Sequence, residues 1–353
     1  MTFYHKPPQT SIEKTKILKS FLQNDIILKE IYFGEAYMKE FIIKENDANM
    51  RVDKFIPKVA PSLPSNLIQK YIRLKRVKVN SARTTAATRL VIGDVVTMYI
   101  NDEFFEVSRA TKAMTKLSAT FPDIVYEDDN IVLLNKPAGV PVHEDESGEE
   151  TLIAQLLSYL AAEGKWNPED EASFIPALCN RIDRNTSGIV IAAKNAEALR
   201  IMNDKIKNRE ISKYYLCAVL GKLSPPNGTI KNFIFKDAKE NRVFVHNTSK
   251  PGAKTAITKY STLKHKDGIS LVECELITGR THQIRAHMAH LGHPLVGDGK
   301  YGKNVENKKY GMKHQALCSY KLIFKFTTPS GCLEYLNGKT FVIGDIPFKK
   351  KLF

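Results

Sequence analysis

No stretch of these 353 residues approaches the roughly 18 consecutive apolar residues that a membrane-spanning helix requires, and no strongly basic amphipathic helix stands out. Cysteine is sparse. The five cysteines (Cys179, Cys217, Cys274, Cys318, Cys332) are odd in number, far apart and without a Cys-x-x-Cys pair. That pattern points away from a zinc site and a disulfide framework, and suits small core residues in a reducing cytosol. No internal repeat and no low-complexity tract is present. Acidic residues are the scarcer sign of charge: 38 Asp and Glu face 53 Lys and Arg, giving a net charge of +15 and a sequence pI near 9.4. Such an excess points to a polyanionic partner, with nucleic acid favoured over an anionic membrane surface.

The length allows two domains and a sizeable core. Residues 1–37 read unlike the rest. Lys14, Lys16 and Lys19 interrupt any apolar segment there, and Asp25 and Glu30 follow, so no signal peptide is expected. Met38 is a candidate start, since Gly34-Glu35 just before it can be encoded by a purine-rich, ribosome-binding-like sequence. The expected division is an N-terminal extension over 1–47, a small module over 48–102, a polar linker over 103–120 and a larger domain over 121–353.

In the small module, Leu67, Ile68, Tyr71 and Ile72 recur at helical spacing after a start at Ser65. Lys70, Arg73, Lys75, Arg76 and Lys78 lie between and beyond them. Val77 and Val79 alternate as a strand, Asn80 turns the chain, and Gly93-Asp94 turns it again before a strand from Val95 to Ile100. A basic helix leading into a short strand pair can contact an RNA backbone; it is equally a solvated helix face.

The larger domain opens on a β-hairpin, Ile124–Tyr126 and Ile131–Asn135 about a turn at Asp128-Asp129-Asn130. Leu152, Ile153, Leu156, Leu157 and Leu160 mark a helix that stops near Gly164. Asp267-Gly268 joins two strand-like runs, 255–264 and 269–277, as a second hairpin. Strands and helices in irregular order indicate an α+β domain with a largely antiparallel sheet.

Four stretches of this domain are denser in unusual residues than packing requires. Asn135-Lys136-Pro137-Ala138-Gly139-Val140-Pro141-Val142-His143 is a strand end followed by a rigid loop, suited to a pocket wall and also ordinary in a loop. Asn180-Arg181-Ile182-Asp183-Arg184-Asn185-Thr186-Ser187-Gly188 sets one carboxylate between two arginines, in a turn just before the apolar run Ile189–Ala193. Burying such charges unpaired costs several kcal/mol, so the segment is either a site or a structural ion pair capping a turn. Lys213-Tyr214-Tyr215-Leu216-Cys217-Ala218-Val219 reads as a strand, where an aromatic is more often core than ligand platform. In the fourth, Thr278-Gly279 breaks a strand, and Ile284, His287, Met288 and Leu291 then fall at helical spacing until Gly292. Arg280, His282 and Arg285 crowd that strand-to-helix junction, where backbone donors also point at anions. The histidines His282, His287, His290 and His293 scatter around the helix, with no nearby Cys or Glu to complete a set, so no metal site is expected.

Taken together, the four stretches resemble the RluA-type family of pseudouridine synthases. The motifs Arg-Ile-Asp-Arg-x-Thr-Ser-Gly and Thr-Gly-Arg-Thr-His-Gln-Ile-Arg-x-His carry the match, from about Tyr126 through the C-terminal strands. Residues 48–100 resemble the alpha-L RNA-binding module through Arg51-Val52-Asp53-Lys54-Phe55, Val77-x-Val79-Asn80 and Gly93-Asp94-x-Val96. Pro57 falls inside that module's first helix, which is expected to be short. Asn180 stands where the family usually has His, and Asn185 where it has Asp; both bear on substrate choice.

The resemblance implies a pseudouridine synthase domain behind a small α/β-hairpin RNA-binding module. It implies isomerisation of uridine in RNA, with the base detached, turned and rejoined through carbon 5, and with no cofactor. Asp183 matches the catalytic carboxylate, as a nucleophile or as a base toward a sugar proton. Arg285 matches its partner, since a guanidinium beside it favours the charged form and aims it. Tyr215 matches the aromatic that stacks on the base and assists late proton transfer, and Arg181 the residue that fills the gap left by the flipped uridine. Ile284 is expected to line the pocket, and Lys136 and Arg280 to contact phosphate. Ribosomal RNA of the large subunit is the expected substrate, in the cytoplasm, with a monomer expected and no membrane involved. The alternatives are a transfer-RNA modifier and a non-catalytic RNA-binding assembly factor.

Overall fold

A computed structural model describes residues 38–105, 118–144, 148–237, 240, 242–302 and 309–353. The N-terminal stretch 1–37 and residues 106–117 of the expected linker lie outside the described residues. The chain divides into two compact units. The first takes the described residues up to Phe121 together with Ala154–Ile175, and the second takes Pro122–Ile153 and Pro176–Phe353.

The first unit holds strands β1 (Met38–Ile42), β2 (Val77–Val79), β3 (Ala82–Arg83) and β4 (Val95–Tyr99), in the antiparallel order β1-β4-β2-β3. β1 lies within the stretch expected as an N-terminal extension, yet it pairs with β4 along its whole length. Helices α1 (Val52–Val59) and α2 (Ser65–Arg73) also belong to this unit. α1 buries Val52, Phe55, Ile56 and Val59, the i, i+3, i+4, i+7 pattern of one apolar face. Pro57 removes one internal bond, and the helix ends two residues later, as short as expected. α2 turns Ile68 and Ile72 inward and leaves Lys70 and Arg73 in solvent, with exposed Lys75 and Arg76 beyond. Lys78 is half-buried, its ammonium 5.0 Å from the Tyr99 ring centre.

Helix α3 (Leu152–Ala162) lies within the span expected for the larger domain, but most of it groups with the first unit. Side chains explain this. Ser158 accepts the Ser118 N–H at 2.7 Å, Gln155 donates to Thr120 at 2.9 Å, and Ser173 bonds the buried Asp47.

The second unit is built on an eleven-stranded sheet of β5 (Ile124–Glu127), β6 (Ile131–Lys136), β7 (Ala177–Leu178), β8 (Ser187–Ala193), β9 (Ile211–Leu220), β10 (Asn227–Asp237), β11 (Arg242–His246), β12 (Lys254–Lys266), β13 (Ile269–Leu276), β14 (Leu317–Phe324) and β15 (Thr340–Val342). The main order is β11-β10-β12-β13-β9-β14-β8-β6-β5, with β15 on β14 and β7 on β8. Both expected hairpins form. Asp128 Oδ1 accepts the N–H of Asn130 and of Ile131 at 2.8 Å each, and Asp267 and Gly268 both adopt positive φ.

Antiparallel pairing dominates, and the β8–β14 contact is parallel. Gly188 makes that contact: at φ +112° a Cβ there would sit 2.3 Å from the Ser319 carbonyl oxygen. Helix α4 (Ala196–Lys207), capped by Asn195 onto the Ala198 N–H, packs Ala198 and Met202 on a core with Ile189, Ile191, Leu216 and Phe324. Helix α5 (Gln283–His290) buries Gln283 through Met288 almost all round, whereas Leu291, expected on its apolar face, is exposed. A short helix α6 (Pro347–Leu352) ends the chain.

Candidate active site

Asp183 sits in the turn that enters β8. Its carbonyl accepts the Thr186 N–H at 2.9 Å, and Gln315 donates to the Thr186 hydroxyl at 3.1 Å. The loop after β6 backs this turn through Gly139, whose N–H donates to the Arg184 carbonyl at 2.9 Å and whose carbonyl accepts from the Arg184 side-chain Nε at 3.0 Å. Lys136 completes the brace. It is fully buried, and its ammonium donates to the carbonyls of Pro137, Val140 and Arg184 at 2.8, 2.8 and 2.7 Å. Burial pushes this ammonium down to about 7, with Asp183 opposing, yet three matched acceptors suit three N–H donors. The expectation that Lys136 meets phosphate is therefore corrected, because its donors are spent on backbone.

Arg285 reaches the same turn from α5. Its Nη1 donates to Asp183 Oδ2 at 3.2 Å across 102 residues of sequence. Its Nε and Nη2 donate to the two oxygens of Asp298 at 2.7 and 2.9 Å. Asp298 is wholly buried and also accepts the N–H of Lys300 and of Tyr301 at 2.9 and 3.2 Å. Burial raises the Asp298 pKa, but the bonds and charge of Arg285 outweigh it and hold the carboxyl below its ordinary value. Burial likewise opposes the Arg285 charge, and Asp298 more than offsets it. The turn bearing Asp298 needs Gly297, since at φ +81° a Cβ would lie 2.2 Å from the His314 carbonyl oxygen.

Tyr301 packs its ring 5.2 Å from the Arg285 guanidinium and 5.1 Å from that of Arg242. Its hydroxyl accepts the Val243 N–H at 3.0 Å and bonds His282 Nδ1 at 3.0 Å. Gln283 ties the strand-to-helix junction. It accepts from the Thr278 hydroxyl and the Arg280 N–H, and donates to Ile257 O and Thr258 Oγ1. Arg280 Nε bonds the Thr255 carbonyl at 3.0 Å.

These elements enclose a cleft of about 1680 Å³ lined by Arg181, Asp183, Tyr215, Arg280, Ile284 and Arg285. Arg181 is exposed, Ile284 buried, and Tyr215 is 6% exposed on β9 opposite Ser319. Burial pushes the Tyr215 phenol up to about 12, and the Asp183 charge adds to this. Exposed Lys207, Arg209, Lys236 and Lys313 also line the cleft, so its walls favour a polyanion. The remaining histidines are engaged separately: His287 with Thr258, His290 with Asn247, and His293 with the Leu220 carbonyl. Among the described residues no group of three His, Cys, Asp or Glu could hold a metal ion.

The family model described as RNA pseudouridylate synthase matches residues 130–290. A Vibrio vulnificus protein named ribosomal large subunit pseudouridine synthase C is 32% identical over 263 residues, covering 74% of this chain and 79% of that one. The chain belongs to the RNA pseudouridine synthase family. The synthase is also 32% identical over 292 residues to an uncharacterized RNA pseudouridine synthase of Mycoplasma genitalium, covering 81% of this chain and 88% of that one. Its fold is shared with human RNA pseudouridylate synthase domain containing 4, at a TM-score of 0.51 and 24% identity, over 69% of this chain and 95% of that chain.

In this synthase Asn180 serves the scaffold, because its Oδ1 accepts the Ile191 N–H at 2.8 Å. Sequence reasoning missed Asp298 and Tyr301. Their signal was available: Leu295-Val296 runs into Gly297-Asp298-Gly299, a carboxylate between two glycines in a tight turn.

Proposed function

We propose that the synthase isomerises uridines of large-subunit ribosomal RNA in the cytoplasm, with Asp183 as the catalytic carboxylate. The reading rests on one observation above all. Asp183 and Arg285, far apart in sequence, meet at 3.2 Å in a cleft lined with cations. The bond between C1′ and N1 breaks and one between C1′ and C5 forms, while C5 loses a proton and N1 gains one. Bonds broken and made nearly balance, so the enzyme's task is to aim a carboxylate at the sugar and retain the loose uracil. Both the covalent and the proton-abstracting route need a carboxylate held in place, and Arg285 holds it.

Tyr215 supplies a ring face for the base, and Ile284 closes the apolar side of its pocket. Arg181, exposed beside Asp183, fills the space that the extruded uridine leaves, an extrusion costing a few kcal/mol. Arg280 and the exposed lysines hold phosphates. In the first unit Lys70, Arg73, Lys75, Arg76 and Lys78 contact the RNA backbone. The resemblance of that unit to the alpha-L module, and the names of the relatives, favour ribosomal RNA.

The test incubates the full chain with transcripts tritiated at carbon 5 of uridine. Tritium should enter water from large-subunit ribosomal RNA. Release from transfer RNA alone would overturn the substrate, and release from no RNA would overturn the assignment of the site.

A further inference from the structure

His282 stands between the strand-to-helix junction and Asp183, with its backbone in the left-handed region at φ 52°. His tolerates that conformation better than most residues. Its Nε2 lies 3.9 Å from Asp183 Oδ2, past hydrogen-bond reach, while Nδ1 meets the Tyr301 hydroxyl at 3.0 Å. Tyr301 and Asp183 favour the same tautomer. The Tyr301 oxygen accepts the Val243 N–H, an Nδ1 lone pair gives its own proton a partner, and that tautomer turns an N–H rather than a lone pair toward the Asp183 carboxylate. A neutral imidazole that accepts at Nδ1 carries its proton on Nε2. That N–H then faces the side of the catalytic carboxylate.

The imidazole stays neutral in this setting. Burial pushes it down to about 4; Asp183 opposes this, Arg285 and Lys300 reinforce it, and Asp298 opposes it more weakly. An N–H donor and a carboxylate acceptor 3.9 Å apart form a matched pair for a group that both accepts and donates. An oxygen about 2.8 Å from each closes the triangle at ordinary hydrogen-bond lengths. The ribose 2′-hydroxyl is such a group, next to the carbons on which Asp183 acts, and it distinguishes RNA from DNA.

We propose that His282 is a further catalytic residue, donating its Nε2–H to the 2′-oxygen of the target ribose while that hydroxyl donates to Asp183. The inference rests on the assignment of Asp183 to the sugar. It makes the synthase read the ribose of the very nucleotide it isomerises.

The test uses an RNA substrate and a second one identical except for 2′-deoxyuridine, tritiated at carbon 5, at the modified position. The wild type should lose about tenfold in kcat/KM on the deoxy substrate, roughly 1.4 kcal/mol. His282→Ala should be slow on the ribose substrate and show a clearly smaller ratio between the two, with only the bond to Asp183 left to read the hydroxyl. His282→Gln, whose amide N–H reaches close to the Nε2 position, should restore part of the discrimination. Equal discrimination by the wild type and a folded His282→Ala variant would overturn the proposal. So would a wild type indifferent to the 2′-hydroxyl. Absence of tritium release by the wild type from every RNA overturns the Asp183 reading itself, and this inference with it.

Discussion

Arg285 binds Asp298 with two nitrogens at 2.7 and 2.9 Å and keeps a single one, Nη1, for Asp183. The buried carboxylate thus anchors the guanidinium, and the half-exposed one is aimed by what remains. Removing one partner of a buried pair leaves the other charge uncompensated, which costs about 3–5 kcal/mol. Asp298→Ala should therefore lower stability by that order in denaturant titrations. Its activity should fall about 100-fold even where the protein remains folded, because a loosened Arg285 no longer fixes Asp183.

The same pair sets a pH dependence. The folded-state pKa of Asp298 lies below the ordinary value of 3.8. Its stabilisation is therefore complete above that value and is lost as pH falls through the lower folded value. Thermal unfolding should show the wild type losing stability steeply below about pH 4, with Asp298→Asn showing a shallower slope there.

Asp183→Asn keeps the shape of the turn and removes the carboxylate proposed to act on the sugar. Tritium release should drop by about 10²–10⁴-fold or more, while RNA affinity in a filter-binding assay changes by no more than about threefold. A variant that remains active would remove Asp183 from the chemistry.

Tyr215→Phe separates the ring from its hydroxyl. With the phenol pushed up to about 12, the group is protonated at neutral pH and able to give a proton. Steady-state kinetics should show kcat falling about 10–100-fold with KM little changed. Tyr215→Ala should damage both, since the stacking face is then lost.

Lys136→Met tests the brace. Three buried carbonyls lose their donor, each worth about 1–3 kcal/mol, partly offset because no ammonium then has to be desolvated. The unfolding midpoint should fall clearly while the salt dependence of RNA binding stays the same. A phosphate contact would instead reduce that slope by about one.

Lys207 and Arg209 are exposed on the cleft and provide the opposite case. Plots of log affinity against log salt should be steep for the wild type. Replacing both with Ala should flatten the slope by about two phosphate equivalents and leave stability within about 0.5 kcal/mol.

Much of this was legible in the chain. Asp128-Asp129-Asn130 and Asp267-Gly268 announce their hairpins because their side chains and permitted φ values act locally. Ile68 and Ile72 announce α2 because helical periodicity needs no distant partner. Other features were not legible. β1 looks like tail until Phe41 is seen 5.8 Å from Phe55, a contact that only strand pairing with β4 creates. Leu291 has the spacing of a core residue but caps the end of α5, where it is left 38% exposed.

Sequence alone determined the chemistry at hand: an acid between arginines, an aromatic on a strand, a basic chain suited to RNA. Tertiary structure decided which of those charges meet in the cleft and which are enclosed by backbone partners. Insertion of β14 between β9 and β8 draws the turns around Asp183 and Asp298 toward one end of α5. There Arg285 is divided between them, and Lys136 is closed off by its own loop. The reason is physical: the cost of burying a charge depends on the partners that surround it, and those partners come from strands remote in the chain.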